Sequence, residues 1–379
     1  MGFSPSKADP DLWFRVHNDK YEYIARYVDD LMIFAHCPKD IVTVLQDMFS
    51  IHVGSNEIFL GGDIAFNDGC PFTSAKTYIS NTCKKIETLC DITLTHFDSP
   101  MATDDHPEID DTPFLDPRPH SIYRFLVGAA QWIITLGRLD ILYTVTTMSR
   151  FNQTPRQGHL DRMLRLYGYL KFHSTLGISM IPTVSSFPTT ATEFVPQQWK
   201  EQYPNAHEEV PTDAPTPLGR PVNLTVHVDA SHASNLVNRR SVTGYIVIAN
   251  GVPVYWHSKE QNTIETSTFG SEIVAARIAA EKLMEYRYKL RMMGVPLAGP
   301  SLLFGDNKSV VSSCSILSST LKKRHNALAY HKIRECVAAG IIRIYHVDGK
   351  QNIADLLTKP LPGDVFRRHR ARLLSKPPI

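Results

Sequence analysis

Between Ile181 and Arg220 the chain carries 7 of its 25 prolines, set among polar and acidic residues ("IPTVSSFPTTATEFVPQQWKEQYPNAHEEVPTDAPTPLGR"). Proline removes a backbone donor and clashes with the preceding helical turn, so this stretch cannot run as one helix or one inner strand. It reads as a linker or a loosely packed excursion, leaving residues 1–180 and 221–379 to fold on either side. With 43% of its 379 residues hydrophobic, the chain can bury more than one core. A formal net charge of +2 gives no global case for a polyanionic partner, so any such case must come from local clusters. Six cysteines (Cys37, Cys70, Cys83, Cys90, Cys314, Cys336) include no Cys-x-x-Cys pair, which favours reduced thiols and speaks against a structural zinc site. No basic-then-apolar leader and no apolar run of ~20 residues is seen. A soluble cytoplasmic or nuclear chain without membrane contact is the expectation.

Residues 1–110 read as strands punctuated by short helices. "YEYIARYV" and "LMIFA" are β-rich runs that flank Asp29 and Asp30, two adjacent carboxylates where a sheet would otherwise place Val or Ile. A helix is predicted over 39–49, with Ile41, Val44, Leu45 and Met48 on one face, and "NEIFLGGDIAFNDG" reads as a hairpin turning at Asn67-Asp68-Gly69. From Ser121 to Ser174 three helices of a small bundle are predicted. Between Arg118 and Lys171 eight Arg and Lys face two acids, Asp140 and Asp161, a surplus of six. Such a bundle could grip a phosphate backbone, or the charge could be a solvated helix face.

Beyond 220 the predicted order is three strands, a long helix, a strand, two helices, a strand and a last short helix, which gives a mixed sheet with helices on its faces. Four acids fall where a core would not choose them. Asp229 ends the first strand, Glu272 opens the long helix, Asp306 closes the fourth strand, and Asp355 lies in the last helix. Singly each has a plain explanation as a loop cap, a helix-dipole partner or a surface residue. Together, strand ends and the helix starts packed on them converge, and like charges within a few Å repel unless cations neutralise them. Mg²⁺ ions, hard cations that take carboxylate oxygens, are the natural occupants, and two of them suit hydrolysis of a phosphodiester.

"YVDDLMIFA" resembles the catalytic turn of reverse transcriptases, and "DPDLWFR", "YRFLVGAAQWI", "RRSVTGYIVIANGVPVYWHSKEQ", "GDNKS" and "NIADLLTKPL" resemble the C-terminal part of the Pol polyprotein of copia-type LTR retrotransposons. The resemblance runs from about Gly2 to Pro362. It implies an α+β reverse-transcriptase palm and thumb remnant followed by an α/β ribonuclease H-like domain with a five-stranded mixed sheet. The implied parts are a partial palm over 1–110, a helical thumb or connection over 111–180, the Pro-rich linker over 181–220, the ribonuclease H-like domain over 221–363 and a basic tail over 364–379. Carried over residue by residue, the metal ligands are Asp229 in "VDAS", Glu272 in "GSE", Asp306 in "GDN" and Asp355 in "IADLLTK", with two Mg²⁺ as cofactors. Related ribonucleases place a His in the loop before the fourth acid; here that loop is "VDGKQN", and His346 precedes it on the strand.

Polymerase chemistry would use Asp29 and Asp30, but it needs a further aspartate from an upstream palm strand, and only Asp9, Asp11 and Asp19 precede the pair. The pair is therefore half of a site, which a second Pol subunit would have to complete. An RNA:DNA hybrid is held through phosphates and 2′-hydroxyls, for which the candidates are Arg239, Arg240, Lys259, Asn307, Lys308 and His325, with the neighbouring run Lys322 to Lys332 and the basic end "FRRHRARLLSK". The leading reading is cleavage of the RNA strand of such hybrids; the alternative is an inert retroelement remnant that only binds nucleic acid.

Overall fold

The computed structural model describes residues 1–54, 57–67, 69–183, 196–321 and 326–377. Strand-forming runs at the N-terminus pair with their neighbours in sequence: β1 (Ser4–Pro5), β2 (Leu12–His17), β3 (Lys20–Tyr27) and β4 (Asp30–Phe34) form an antiparallel sheet in that order. Helix α1 (Pro38–Met48) follows where its apolar period predicts it, burying Ile41 and Leu45 against Ile24.

A second sheet joins β5 (Ile58–Phe59), β6 (Gly62–Asn67), β7 (Cys70–Ser74) and, far along the chain, β8 (Gly177–Ser179). Between β7 and β8 lie α2 (Lys76–Cys90), α3 (Pro117–Thr135), α4 (Leu142–Ser149) and α5 (Gln157–Phe172). The last three are the expected bundle; α2 was not anticipated, although Ile79, Cys83 and Ile86 repeat at helical spacing and are all buried. Asp68 lies outside the described residues, while β6 and β7 pair Asn67 with Cys70 around it.

The basic surplus of this bundle is matched by acids outside the counted window, which corrects the phosphate-grip expectation. Lys171 meets Glu87 at 2.7 Å, Arg162 meets Asp105 at 2.8 Å and Asp110 at 2.6 Å, and Arg150 meets Glu260 at 2.5 Å. Arg138 is fully buried and pairs with Asp140 at 2.8 Å, while Arg156 and Arg165 lie over the rings of Phe114 and Phe97. Arg118 and Arg124 remain exposed.

The third part opens with α6 (Pro196–Gln202), then β9 (Leu224–Ser231), β10 (Val242–Ala249), β11 (Val252–Glu260), α7 (Thr268–Met292), β12 (Ser301–Gly305), α8 (Lys308–Ser315), α9 (Ala327–Ala338), β13 (Ile342–His346), a 3₁₀ turn at Ile353–Leu357 and α10 (Gly363–Arg370). Its sheet runs β11-β10-β9-β12-β13, with β9, β12 and β13 parallel and β10 antiparallel to both its neighbours. This is the expected five-stranded mixed sheet. Alternation divides β9: Leu224, Val226, Val228 and Ala230 join the core under α7 and α9. Its other face carries Thr225, His227 and Asp229. Each apolar side chain fully buried here contributes about 1.5–3 kcal/mol.

Two expectations about the ends of this part change. The second half of the Pro-rich stretch is packed: Trp199 is buried in the α7–α9 core, and Glu208 accepts from Arg287 and Arg291 of α7 at 2.6–2.9 Å. Residues 184–195 lie outside the described residues. The basic end is no free tail, because Phe366, Leu373 and Leu374 are buried in the bundle core and Ser375 bridges to Gly177. That core also takes in Ile246 and Ile248 of β10, so bundle and sheet share apolar contacts.

Candidate active site

Strands β9 and β12 are adjacent and parallel, so their carboxyl ends open on one crevice, the place where open α/β sheets present functional groups. Asp229 stands near the end of β9 and Asp306 directly follows β12. Helix α7 crosses one face, capped by Ser267, whose side chain accepts from Gly270 N, and its second turn brings Glu272 to the same rim. One carboxylate oxygen from each of Asp229, Glu272 and Asp306 lies within 4.8 Å of the others. Asp229 is 2% exposed and Glu272 6% exposed.

Asp355, on the 3₁₀ turn, approaches from the opposite face but is not one of the three acids whose oxygens lie within 4.8 Å of one another. That turn can lie against the sheet because β10 has glycine opposite Asp229: a Cβ on Gly244 would sit 2.6 Å from Thr358 Cγ2 and 2.8 Å from Leu357 Cβ. Asn352 fastens the turn, donating to Val228 O at 2.9 Å and capping Ala354 N. The Thr358 hydroxyl donates to Asp229 Oδ2, and Lys359 Nζ sits 2.9 Å from Asp355 Oδ1 and 3.7 Å from Asp229 Oδ2. Gly349 brings the preceding loop alongside Asp306, and His346 Nε2 is 3.1 Å from the Asp306 carbonyl oxygen.

The electrostatics follow from this crowding. Burial, then Asp229 and Asp306, push the Glu272 carboxyl well above its ordinary value. Asp306 is raised by burial and Asp229, and Asp355 is pushed up to about 7 by burial and Asp229 in spite of Lys359. Lys359 is held above its usual range: burial opposes its charge, and Asp229 and Asp355 more than compensate. Buried carboxylates raised in this way are an anionic nest that a divalent cation would relieve. Asn352, Thr358 and Lys359 were not singled out from the sequence, although all three sit in "NIADLLTKPL"; a Lys four residues after an acid in an apolar turn was the available signal.

The other paired acids have a different setting. Val28 and Asp29 form the two-residue turn between β3 and β4, and Asp30 opens β4 opposite Tyr27. Val28 adopts φ 55°, a conformation costing a β-branched residue about 1–3 kcal/mol, and is exposed along with both aspartates. No third carboxylate joins them among the described residues. Asp9 accepts from Asp11 N, Asp11 pairs with Arg26 at 2.6 Å, and Asp19 makes the β2–β3 turn at φ 55°.

Of the hybrid-contact candidates, Arg239 and Lys308 are exposed, and Arg240 lies 4.0 Å from Glu260. Lys259 pairs with Thr243 on edge strand β11, one residue beyond the Asp229–Gly244–Ser258 row, so alternation turns it to the opposite sheet face. Asn307 caps α8, its side chain accepting from Ser309 N and Val310 N. His325, with Lys322, Lys323 and Arg324, lies outside the described residues.

No family model matches the chain. It is 24% identical over 98% of its length to the retrovirus-related Pol polyprotein from transposon RE1 of Arabidopsis thaliana, of which it spans 23%. It is 28% identical over 75% of its length to the transposon Ty5-1 protein of Saccharomyces cerevisiae, of which it spans 80%. The chain is related to LTR-retrotransposon Pol polyproteins. It spans under a quarter of the first Pol polyproteins it matches, 23% of each. Among solved structures, a ribonuclease H1 from Halobacterium salinarum is 16% identical with a TM-score of 0.29, covering 36% of this chain and 94% of that one. A foamy viral protease-reverse transcriptase in complex with RNA/DNA hybrid is 11% identical with a TM-score of 0.27, covering 88% and 63%. No helix among the described residues is long and apolar enough to cross a membrane.

Proposed function

We propose that this Pol-related chain is a reverse transcriptase/ribonuclease H segment whose acidic rim cleaves the RNA strand of RNA:DNA hybrids. One observation carries the reading: Asp229, Glu272 and Asp306, from two strand ends and a helix, offer oxygens within 4.8 Å of one another. The donor set fits hard divalent cations, since all the ligands are carboxylates crowded in a buried place where Lys359 answers only part of their charge. Asp229, Glu272, Asp306 and Asp355 would hold two Mg²⁺. When bound, Mg²⁺ would polarise the scissile phosphoryl group and make water nucleophilic near neutral pH.

The chain's own groups do the rest. Thr358 fixes the Asp229 carboxylate in one orientation, Asn352 holds the Asp355 turn against β9, and Lys359 offsets part of the anionic charge through Asp229 and Asp355. Arg239 and Lys308, both exposed, would take phosphates of a hybrid recognised by shape. In this reading 1–110 is a partial palm, 111–180 a thumb or connection and 221–363 the nuclease domain, with the basic end docked on the bundle. Asp29 and Asp30, on the β3–β4 turn, would belong to the polymerase part of such a segment. No observation brings a second subunit to β4, and the proposal does without one.

The test is cleavage of a labelled RNA:DNA hybrid by purified chain in Mg²⁺. The parent should cut the RNA strand, and Asp229→Asn or Asp306→Asn should lower the rate on the order of 10²-fold or more. A folded parent that leaves the hybrid uncut in both Mg²⁺ and Mn²⁺ leaves only the inert, nucleic-acid-binding remnant.

A further inference from the structure

A second group of metal-ligating side chains lies in the bundle, apart from the acidic rim. His96 and Asp98 come from the segment after α2, and His173 caps the C-terminal end of α5; one ligand atom of each lies within 4.8 Å of the others. We propose that His96, Asp98 and His173 bind one zinc-class divalent cation. Two imidazole nitrogens and one carboxylate oxygen suit Zn²⁺ or Co²⁺ and not Mg²⁺, which takes oxygen ligands. This inference does not rest on the nuclease reading, and it needs none of the six cysteines.

Three features of the geometry support it. His173 is anchored through its backbone N–H to Tyr169 and Leu170 carbonyls, and its Nε2 is buried with no hydrogen-bond partner among the described residues, a cost that a bound ion would remove. Asp98 divides its carboxylate: Oδ1 lies 3.7 Å from His96 Nε2, while Oδ2 accepts from Arg367 Nη1 at 2.9 Å. One oxygen thus remains for the ion while the other is oriented by an outer partner, the usual arrangement around a ligating carboxylate. His96 is stacked edge-on against Phe172 with ring centroids 4.8 Å apart, yet it and Asp98 are exposed, so their side chains can close the up to ~1.4 Å that tetrahedral ligands ~3.4 Å apart require.

Nearby cations weigh against any metal, and Asp140 answers part of that charge. Arg138 pairs with Asp140, and Arg370 donates to Tyr169, whose hydroxyl bonds the same Asp140. Because Arg367 belongs to α10, the bound ion would clip the segment after α2 to α5 and brace it against the C-terminal helix.

The experiment is equilibrium dialysis of the full chain against Zn²⁺, with metal analysis, in an Asp229→Asn/Asp306→Asn background that silences the acidic rim. One Zn²⁺ per chain is expected, uncompeted by millimolar Mg²⁺. His96→Ala, at an exposed position that should not disturb folding, should weaken binding at least tenfold, and Co²⁺ should give a visible absorption band that the same variant loses. No stoichiometric Zn²⁺, or binding unchanged in His96→Ala, overturns the proposal.

Discussion

Asp355→Asn separates the two forces acting on the acidic rim. The carboxyl is 8% exposed, and its pKa is raised from 3.8 to about 7 even with Lys359 Nζ 2.9 Å away, so burial and repulsion from Asp229 outweigh the ion pair. An acid whose folded-state pKa lies above its unfolded value costs stability while ionised. That cost is full above about pH 7 and is relieved as pH falls from about 7 toward 4. Raising the carboxyl from 3.8 to about 7 costs the ionised form at most about 4 kcal/mol. The amide that replaces it is itself a buried polar group needing partners, which takes back about 1–2 kcal/mol. In EDTA at pH 8 the variant should therefore be about 2 kcal/mol more stable than the parent in urea unfolding, and the difference should shrink toward zero by pH 4–5. Saturating Mg²⁺ should stabilise the parent more than the variant, which keeps Asp229, Glu272 and Asp306, so the variant's advantage should narrow while its hybrid cleavage falls. An Asn variant no more stable than the parent in EDTA at pH 8 would mean that Lys359 outweighs the repulsion, and the anionic-nest argument would fail.

Two further outcomes follow from the packing. Asp140→Ala strands the fully buried Arg138 guanidinium and removes the acceptor of the Tyr169 hydroxyl, so the urea midpoint should fall by the equivalent of about 3–5 kcal/mol. Gly244→Ala puts a methyl into the space of Thr358 and Leu357, so hybrid cleavage should drop at least tenfold through displacement of the Asp355 turn while far-UV circular dichroism stays that of the parent.

What could be read from the sequence, and what could not, divides by range. The order of strands and helices beyond 220 was legible because periods of 2 and 3.6 are local, and the four acids stood out because they interrupt those periods. Asp355 was grouped with the other three from the order of elements, but its route to them was not legible, since its approach depends on Gly244 making room across the sheet. The six-charge surplus of the bundle misled because its answering acids, Glu87, Asp105, Asp110 and Glu260, lie outside the window in which it was counted. Proline content likewise spoke for loose chain over 181–220, but burial of Trp199 and the two arginines of α7 on Glu208 are long-range gains that composition cannot register.

The same long-range packing bears on how the parts act together. Ile246 and Ile248 on β10, the Ile353–Leu357 turn that carries Asp355, and Phe366, Leu373 and Leu374 of the C-terminal segment all belong to the core built by α2 to α5. The face of the sheet that Asp355 approaches is therefore covered by the helical bundle together with the C-terminal segment. Arg150 and Glu108 reinforce that seam, the first pairing with Glu260 and the second accepting from Leu236 N in the β9–β10 loop. Residues 221–363 cut out alone would expose this apolar face and loosen the turn that supplies the fourth acid. The bundle's part in the proposed chemistry is thus mechanical: with its basic side chains largely paired internally, it contributes the wall against which the acidic rim is set.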